Sequence, residues 1–477
     1  MIAAQGKTHR GRIWVQMASD SKVDDVILAD HLLHNANRRD IQSFQENLLQ
    51  QNLLRISKQH PIYSQMISKN GIDISKIKTF RDLDAIFPVT SKEDFVKNPL
   101  QYVLDSDSIS PKDYLNWDVT YTAGTSGEPA PVFQTTYDFK GVLFAHKRMA
   151  KLRGMDSSDK IFNLYPLAPY PHGGWIRPSQ AAAVIGASVV VGMSGSTTSA
   201  YPIIRRFDEV VELVARSNPS VLWGVPSYVL KVLRELDLKG LSVPNLRLLN
   251  VSGEPCGPKL REHLAHVAAR LTQNKVGISD SLGATELQFS LVQCPGGTSF
   301  HNPVPEIARL SVIDDNGVEA VDGQPGKLQV THINRRGTVL VRYLLGDVAI
   351  MDFSPCQHCG WTGGSIAKHL GREGKFLKVR GQMVNSESIM DWLHSQEFIL
   401  DYKVIVSNNP VTHLDDITVE LVTKDGTFGD EDRDILIAQL SDIAGLKVGV
   451  TQSESKVIWS PEQGMKPKRL EDRRFDG

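Results

Sequence analysis

TYTAGTSGEPAPVFQT, residues 120–135, sets a run of hydroxyl-bearing and glycine residues between two short pieces rich in β-branched and aromatic side chains. Residues 119–122 and 132–136 carry the bias of strands, so 124–129 becomes the turn of a hairpin. Gly124 and Gly127 lack a Cβ, which lets backbone N–H groups face an anion, and Thr122, Thr125 and Ser126 add hydroxyl donors around it. A polyphosphate suits such a cradle. It is no Walker loop, because Glu128 and Pro129 stand where a G-K-[ST] opening a helix would be. Taken alone the stretch also reads as an ordinary glycine-rich hairpin, and the rest of the chain decides between the two.

The chain has 477 residues, too many for one core, and is expected to divide into two or three lobes. Its 53 Lys plus Arg balance 54 Asp plus Glu, so no global field favours nucleic acid or a membrane surface, and a small-molecule partner is expected. The first residues lack the apolar core of a signal peptide, and no apolar run reaches the length of a transmembrane helix. The expectation is a soluble, cytoplasmic protein. Four cysteines in a chain of this length make no disulfide framework.

Residues 24–70 have a helical pattern, with Leu48, Leu49, Leu53, Leu54 and Ile56 in an apolar stripe. From 138 to 285 helices and strands alternate: a helix capped by Asp138 and ending near Gly154, strand 161–165, helix 178–186, strand 188–191, helix 202–216, strand 220–223, a helix opened by Ser227, strand 246–251 and helix 258–271. Such alternation predicts a parallel sheet with crossover helices. After Glu286 only strands follow (306–313, 326–333, 337–343, 347–352), read as an antiparallel β lobe. The charged, glycine-bearing GREGKFLKVRG at 371–381 reads as a linker. Beyond it a helix at 386–395, strands at 402–406 and 416–422, a helix at 430–443 and a strand at 447–451 predict a small α+β domain. The expected architecture is therefore α/β: a large lobe over 1–370 and a small mobile domain over 371–477.

With the glycine loop, SGEP at 252–255, LGATE at 282–286, RYLLGD at 342–347 and the 371–381 stretch repeat the order of motifs in adenylate-forming enzymes. Within that superfamily the chain most resembles the phenylacetate-CoA ligase family, through PVTSKEDF at 88–95, Cys356 and Cys359 before GR, and GMKPKRLEDRR near the end. The resemblance implies ATP- and Mg²⁺-dependent activation of a carboxylic acid through an acyl-adenylate, followed by transfer to CoA, with no nucleic acid or membrane partner and a homodimer left open. It implies that the 122–127 loop holds the ATP phosphates, that Ser252, Gly253, Glu254 and Pro255 line the adenine side with Asp280, Leu282, Gly283 and Thr285, and that Glu286 holds Mg²⁺ through hard oxygens. Asp347 takes the ribose hydroxyls, supported by Arg372. Lys466 in G-x-K-x-x-R is the implied catalytic cation, with Lys468 as the alternative. Leu282 stands where the family carries an adenine-stacking tyrosine, which implies looser packing, and Gly374 and Lys375 replace the family's acidic hinge residues.

The acyl pocket is expected near 165–175, YPLAPYPHGGW, with Tyr165, Tyr170, His172 and Trp175 in it and Trp223 and Tyr228 as further walls. That aromatic density suits an aryl or arylacetic acid. The sequence leaves open a carrier-protein thiol or an amine as acceptor, and also a nucleotide-binding module that has lost catalysis. Cys294 and His301, with six residues between them, and the Cys356/Cys359 knuckle make a Cys3His set that closes a structural Zn²⁺ site; His358 is the alternative to His301. Cys256 is read as a small apolar residue, since no partner base is evident.

Overall fold

The computed structural model describes residues 33–34, 36–105, 116–122, 129–167, 171–195, 204–372, 376–380, 382–409, 414–424, 426, 428–453, 458–460 and 467–474. The first helices among the described residues are α1 (Arg38–Gln59), α2 (Pro61–Lys69), α3 (Phe80–Ile86) and α4 (Lys92–Lys97). Of the helical pattern over 24–70, residues 24–32 lie outside the described residues and 38–69 form two helices: Pro61 has no N–H to give α1, so α1 ends and Pro61 opens α2, whose His60 ring accepts from Tyr63 N–H. Leu48, Leu49, Leu53 and Ile56 are buried as the stripe predicted, whereas Leu54 lies 56% exposed on the opposite face.

The hairpin forms as β1 (Asn116–Tyr121) and β2 (Pro131–Thr135). Helix α5 (Thr136–Leu152) follows, and its cap is Thr135 rather than Asp138; Asp138 is the third helical residue and closes a capping box back onto Thr135. The same carboxylate accepts from Arg336 N–H at 2.9 Å and Gly337 N–H at 2.6 Å, tying α5 to the segment over 333–342, between two later strands. A side chain at Gly337 would meet the Phe133 carbonyl at 2.4 Å, so only glycine fits there.

Next come β3 (Lys160–Asn163), α6 (Gly173–Ile185), β4 (Ser188–Val191), α7 (Phe207–Ser217), β5 (Val221–Gly224), α8 (Pro226–Leu238), β6 (Leu248–Ser252), α9 (Pro258–Leu271) and β7 (Gly277–Gly283). Helix α6 begins before Pro178, because His172 caps it by accepting from Gly174 N–H at 3.0 Å. Strands β8 (Ser290–Val292), β9 (Phe300–His301), β10 (Ala308–Ile313), β11 (Pro325–His332), β12 (Tyr343–Asp352) and β13 (Ser365–Arg372) continue.

These strands form one eleven-stranded sheet in the order β10-β11-β12-β13-β9-β8-β7-β6-β5-β3-β4, not a parallel sheet beside a separate β lobe. Pairing is parallel from β4 through β3, β5 and β6 to β7, and antiparallel beyond. Residues 337–342 are not a strand of this sheet, and of the expected strand only Tyr343 enters it, as the first residue of β12. Their backbone turns aside to the N-terminal helices, with Val339 N–H on the Tyr102 carbonyl at 2.9 Å and Val341 N–H on the Tyr63 hydroxyl at 2.8 Å. One core joins the N-terminal helices to the antiparallel half, and a second fills the parallel half.

After β14 (Phe376–Val379) and β15 (Gln382–Asn385) come α10 (Ser386–Ser395), β16 (Ile399–Asn408), β17 (Asp415–Thr423), α11 (Asp430–Ala444), β18 (Val448–Gln452) and β19 (Leu470–Asp472). Strands β18-β17-β16-β19 make a four-stranded sheet over a third core. The C-terminal region is moored to the parallel half. Trp459 is 5% exposed within that half's core, and Lys231 Nζ on α8 donates to Asp401 Oδ2 on β16 at 2.8 Å and to the Trp459 carbonyl at 2.9 Å.

Candidate active site and metal centre

A cleft opens where the parallel strands end and the antiparallel half begins, the place ligands favour in open sheets. Thr122 stands at the neck of the hairpin: its N–H donates to the Ala130 carbonyl at 3.0 Å and its hydroxyl oxygen accepts from Ala130 N–H at 2.9 Å. Gly124, Thr125, Ser126 and Gly127 lie outside the described residues, as does Tyr170. Ser252 ends β6, Gly253 follows it, and both line the cleft. The Tyr165 hydroxyl, on the loop after β3, bonds to the Ser252 carbonyl at 3.1 Å and to its hydroxyl, which fixes the phenol as part of the wall.

Glu254 turns away from the cleft. Its carboxylate accepts from Ser227 N–H in the first turn of α8, where the helix dipole favours negative charge, and burial pushes its pKa up while Arg469 and Lys231 pull it back. Pro255 is exposed. Asp280 is buried on β7, where burial lifts its carboxyl to about 7 against the Ser281 N–H and Arg261. Leu282 packs against the core of the antiparallel half, while Gly283, Thr285 and Glu286 face the cleft. Glu286 is 4% exposed and accepts from the Tyr343 hydroxyl at 2.8 Å. Burial and then the Glu286 charge drive the Tyr343 pKa far up, so the phenol remains a donor.

Asp347 on β12 lines the opposite wall with Arg372 on β13, its partner in register. His369 Nε2 lies 2.9 Å and Arg372 Nε 3.8 Å from its carboxylate. His172 and Trp223 also line the cleft, whereas Trp175 packs against the parallel-half core and the Tyr228 ring meets Trp459 at 6.1 Å inside it. Cys256 packs against the same core, and burial pushes its thiol up, in keeping with an inert role.

Sequence reasoning missed several lining residues. Lys92 stood inside a recognised motif but had no assigned role. Gln288 is held at φ +65°, with its side-chain oxygen accepting from Thr120 at 3.1 Å and Arg177 at 2.6 Å. His146 and Arg177 come from α5 and α6 and meet only because the two helices pack together. No local pattern marks either one.

Cys294, His301, Cys356 and Cys359 converge with their ligand atoms within 4.8 Å of one another. Cys294 follows β8, His301 lies on β9, and the knuckle turns between β12 and β13. The Cys294 and Cys356 sulfurs are 3.8 Å apart, and the Cys359 sulfur is 3.5 Å from His301 Nε2. A tetrahedral ion bound at about 2.3 Å to sulfur and about 2.0 Å to nitrogen sets ligand edges of roughly 3.5–3.8 Å, so the set fits Zn²⁺. His301 Nδ1 lies 2.7 Å from the Ser365 hydroxyl, which orients the ring, and it is His301 rather than exposed His358 that joins the set. A Cβ on Gly297 would stand 2.8 Å from the Cys294 sulfur, so glycine gives this thiol its room. Register pairs Asp347 with Arg372 and Asp352 with Ser365, which separates the metal end of β12 from the cleft end by about 17 Å.

Residues 50–334, more than half of the chain, match the family described as AMP-binding enzyme. The chain belongs to that family. It is 23% identical over 399 residues to a phenylacetate-coenzyme A ligase of Pseudomonas putida, covering 82% of this chain and 84% of that protein. A phenylacetate-coenzyme A ligase of Aromatoleum evansii is 23% identical over 354 residues, 73% of this chain and 74% of that protein. The fold is that of 2-hydroxyisobutyryl-CoA ligase. In its postadenylation state with R3-HIB-AMP that protein superposes with a TM-score of 0.77 at 16% identity, covering 93% of this chain and 91% of that one. In complex with 2-HIB-AMP and CoA it superposes at 0.63 and 18% identity, covering 97% and 94%.

Proposed function

We propose that the protein is an acid-CoA ligase that activates a carboxylic acid with ATP and passes the acyl group to CoA. The observation carrying this is the single cleft in which Thr122, Ser252, Thr285, Glu286, Asp347 and Arg372, drawn from five separate motifs, face one another. In the first step a carboxylate oxygen attacks the α-phosphorus, an acyl–phosphate bond forms, and pyrophosphate leaves. In the second the CoA thiolate attacks the acyl carbon and AMP leaves. Little covalent chemistry falls to the protein, so positioning and preorganised charge dominate. Asp347 accepts from the ribose hydroxyls, Glu286 offers carboxylate oxygens to a Mg²⁺ that neutralises phosphate charge, and Lys466, from the 371–477 domain, bridges carboxylate and α-phosphate. Tyr165 and His172 form part of the acyl wall. Use of ATP and CoA fits the cytoplasm, and among the described residues no helix is long and apolar enough to cross a membrane.

Pyrophosphate release measured over a panel of aryl, arylacetic and short aliphatic acids, each with and without CoA, tests the reading. Thioester is expected only with ATP, acid and CoA together. Adenylate formation without thioester would redirect the second step to a carrier-protein thiol or an amine, and nucleotide binding without pyrophosphate release would leave only a catalytically inactive module.

We also propose that the Cys3His set holds one structural Zn²⁺. Elemental analysis of protein purified without chelator should find about one zinc per chain. Cys356→Ser or Cys359→Ser should lower Tm by roughly 5 °C or more and leave KM for ATP nearly unchanged. Metal-free protein of full stability would defeat the assignment.

A further inference from the structure

We propose that the acid carries a second oxygen function, a hydroxyl, carbonyl or carboxylate oxygen, and that His146 recognises it. The inference rests on the acid-activating role of this cleft and narrows its substrate class. His146 projects from α5 into the lining of the cleft and is 1% exposed. Among the described residues neither of its ring nitrogens has a hydrogen-bond partner. Buried polar groups are ordinarily paired, so an imidazole aimed into a ligand cavity with both nitrogens unused is matched to something that enters. Burial, followed by the nearby Arg177 and Arg153 guanidiniums, drives its pKa well below the usual histidine range. The ring is therefore neutral and offers one N–H donor and one lone pair.

The surroundings are polar in the same sense. Arg177 on α6 is 8% exposed and lines the same wall, donating to Gln180 and to Gln288, each at 2.6 Å. Gln288 and Thr120 complete a hydrogen-bonded floor, with Met149, Trp223 and Phe289 as apolar sides. A bare ring or alkyl chain would fill those sides and leave His146 buried and unanswered. An acid with an oxygen substituent satisfies it, and a site built to bond such a group discriminates strongly against the analogue lacking it.

The test uses the full-length enzyme and matched pairs of acids on one carbon skeleton, with and without a hydroxyl, an oxo group or a second carboxyl, followed by pyrophosphate release. For at least one pair, kcat/KM should favour the oxygen-bearing member by on the order of 100-fold or more, and the best of the three names the function. His146→Leu should bring that ratio toward one, while His146→Gln, which keeps a donor and an acceptor, retains most of it. A wild-type enzyme that treats every pair alike overturns the inference and leaves the ligase reading standing. So does a Gln variant as indifferent as the Leu variant, a comparison replaced by wild type against Gln should the Leu variant not fold. Failure of every acid to release pyrophosphate overturns both.

Discussion

Lys466→Ala is expected to lower acyl-adenylate formation by roughly 10²–10³-fold and to spare thioester formation from supplied acyl-adenylate. The residue itself lies outside the described residues, so the expectation rests on its motif and on the chemistry of the first step. As the carboxylate attacks, negative charge builds between two anionic groups, and removing one preorganised donor from such a centre costs about that factor. The second step separates AMP from a neutral thioester and makes no such demand. Single-turnover measurement of the two half-reactions checks it. Equal loss in both, or an inactive Lys468→Ala beside an active Lys466→Ala, would move the role elsewhere.

The second large effect is expected at Asp401. Its carboxylate is 2% exposed and receives Lys231, Arg469, Ile458 N–H at 3.1 Å and Trp459 N–H at 3.0 Å. Burial alone would push its pKa up, but the Arg469 and Lys231 charges outweigh it and hold it at about 2. Because the folded value lies below the ordinary 3.8, the stabilisation is fully present above that pH and is lost as pH falls through about 2. The gap corresponds to ~2–3 kcal/mol. Asp401→Ala leaves buried Arg469 and part-buried Lys231 without the carboxylate that pairs them, at a cost of about 3–5 kcal/mol. The mooring between α8 and the C-terminal sheet should loosen, seen as faster limited proteolysis of the C-terminal region and a flatter acid-stability profile between pH 4 and 2. Unchanged proteolysis and an unchanged profile would show that Trp459 burial alone holds the contact.

Much of this protein was legible in one dimension, where the information is local. Residues 188–191 and 258–271 were read with the bounds they have, because a β-branched run and a proline-opened amphipathic helix are complete signals in themselves. The Cys3His set was equally legible, since few other uses gather those four residues. Boundaries failed where a neighbour supplied the deciding bond: His172 moved the start of α6, Thr135 displaced Asp138 as a cap, and in 337–342, strand-like by composition, Val339 and Val341 gave their N–H groups to Tyr102 and Tyr63.

By itself the sequence determined the α/β alternation, the order of the nucleotide motifs and the grouping of Cys294, His301, Cys356 and Cys359, all of which are properties of spacing along the chain. Only the tertiary structure decided that the parallel and antiparallel strands form one sheet, that Glu254 faces α8 rather than the cleft, and that His146 and Arg177 share a wall of it. The physical reason is the same in each case. A strand's free edge, a carboxylate's direction and a buried ring's unmet hydrogen bonds are set by what packs against them, and those partners lie tens to hundreds of residues away.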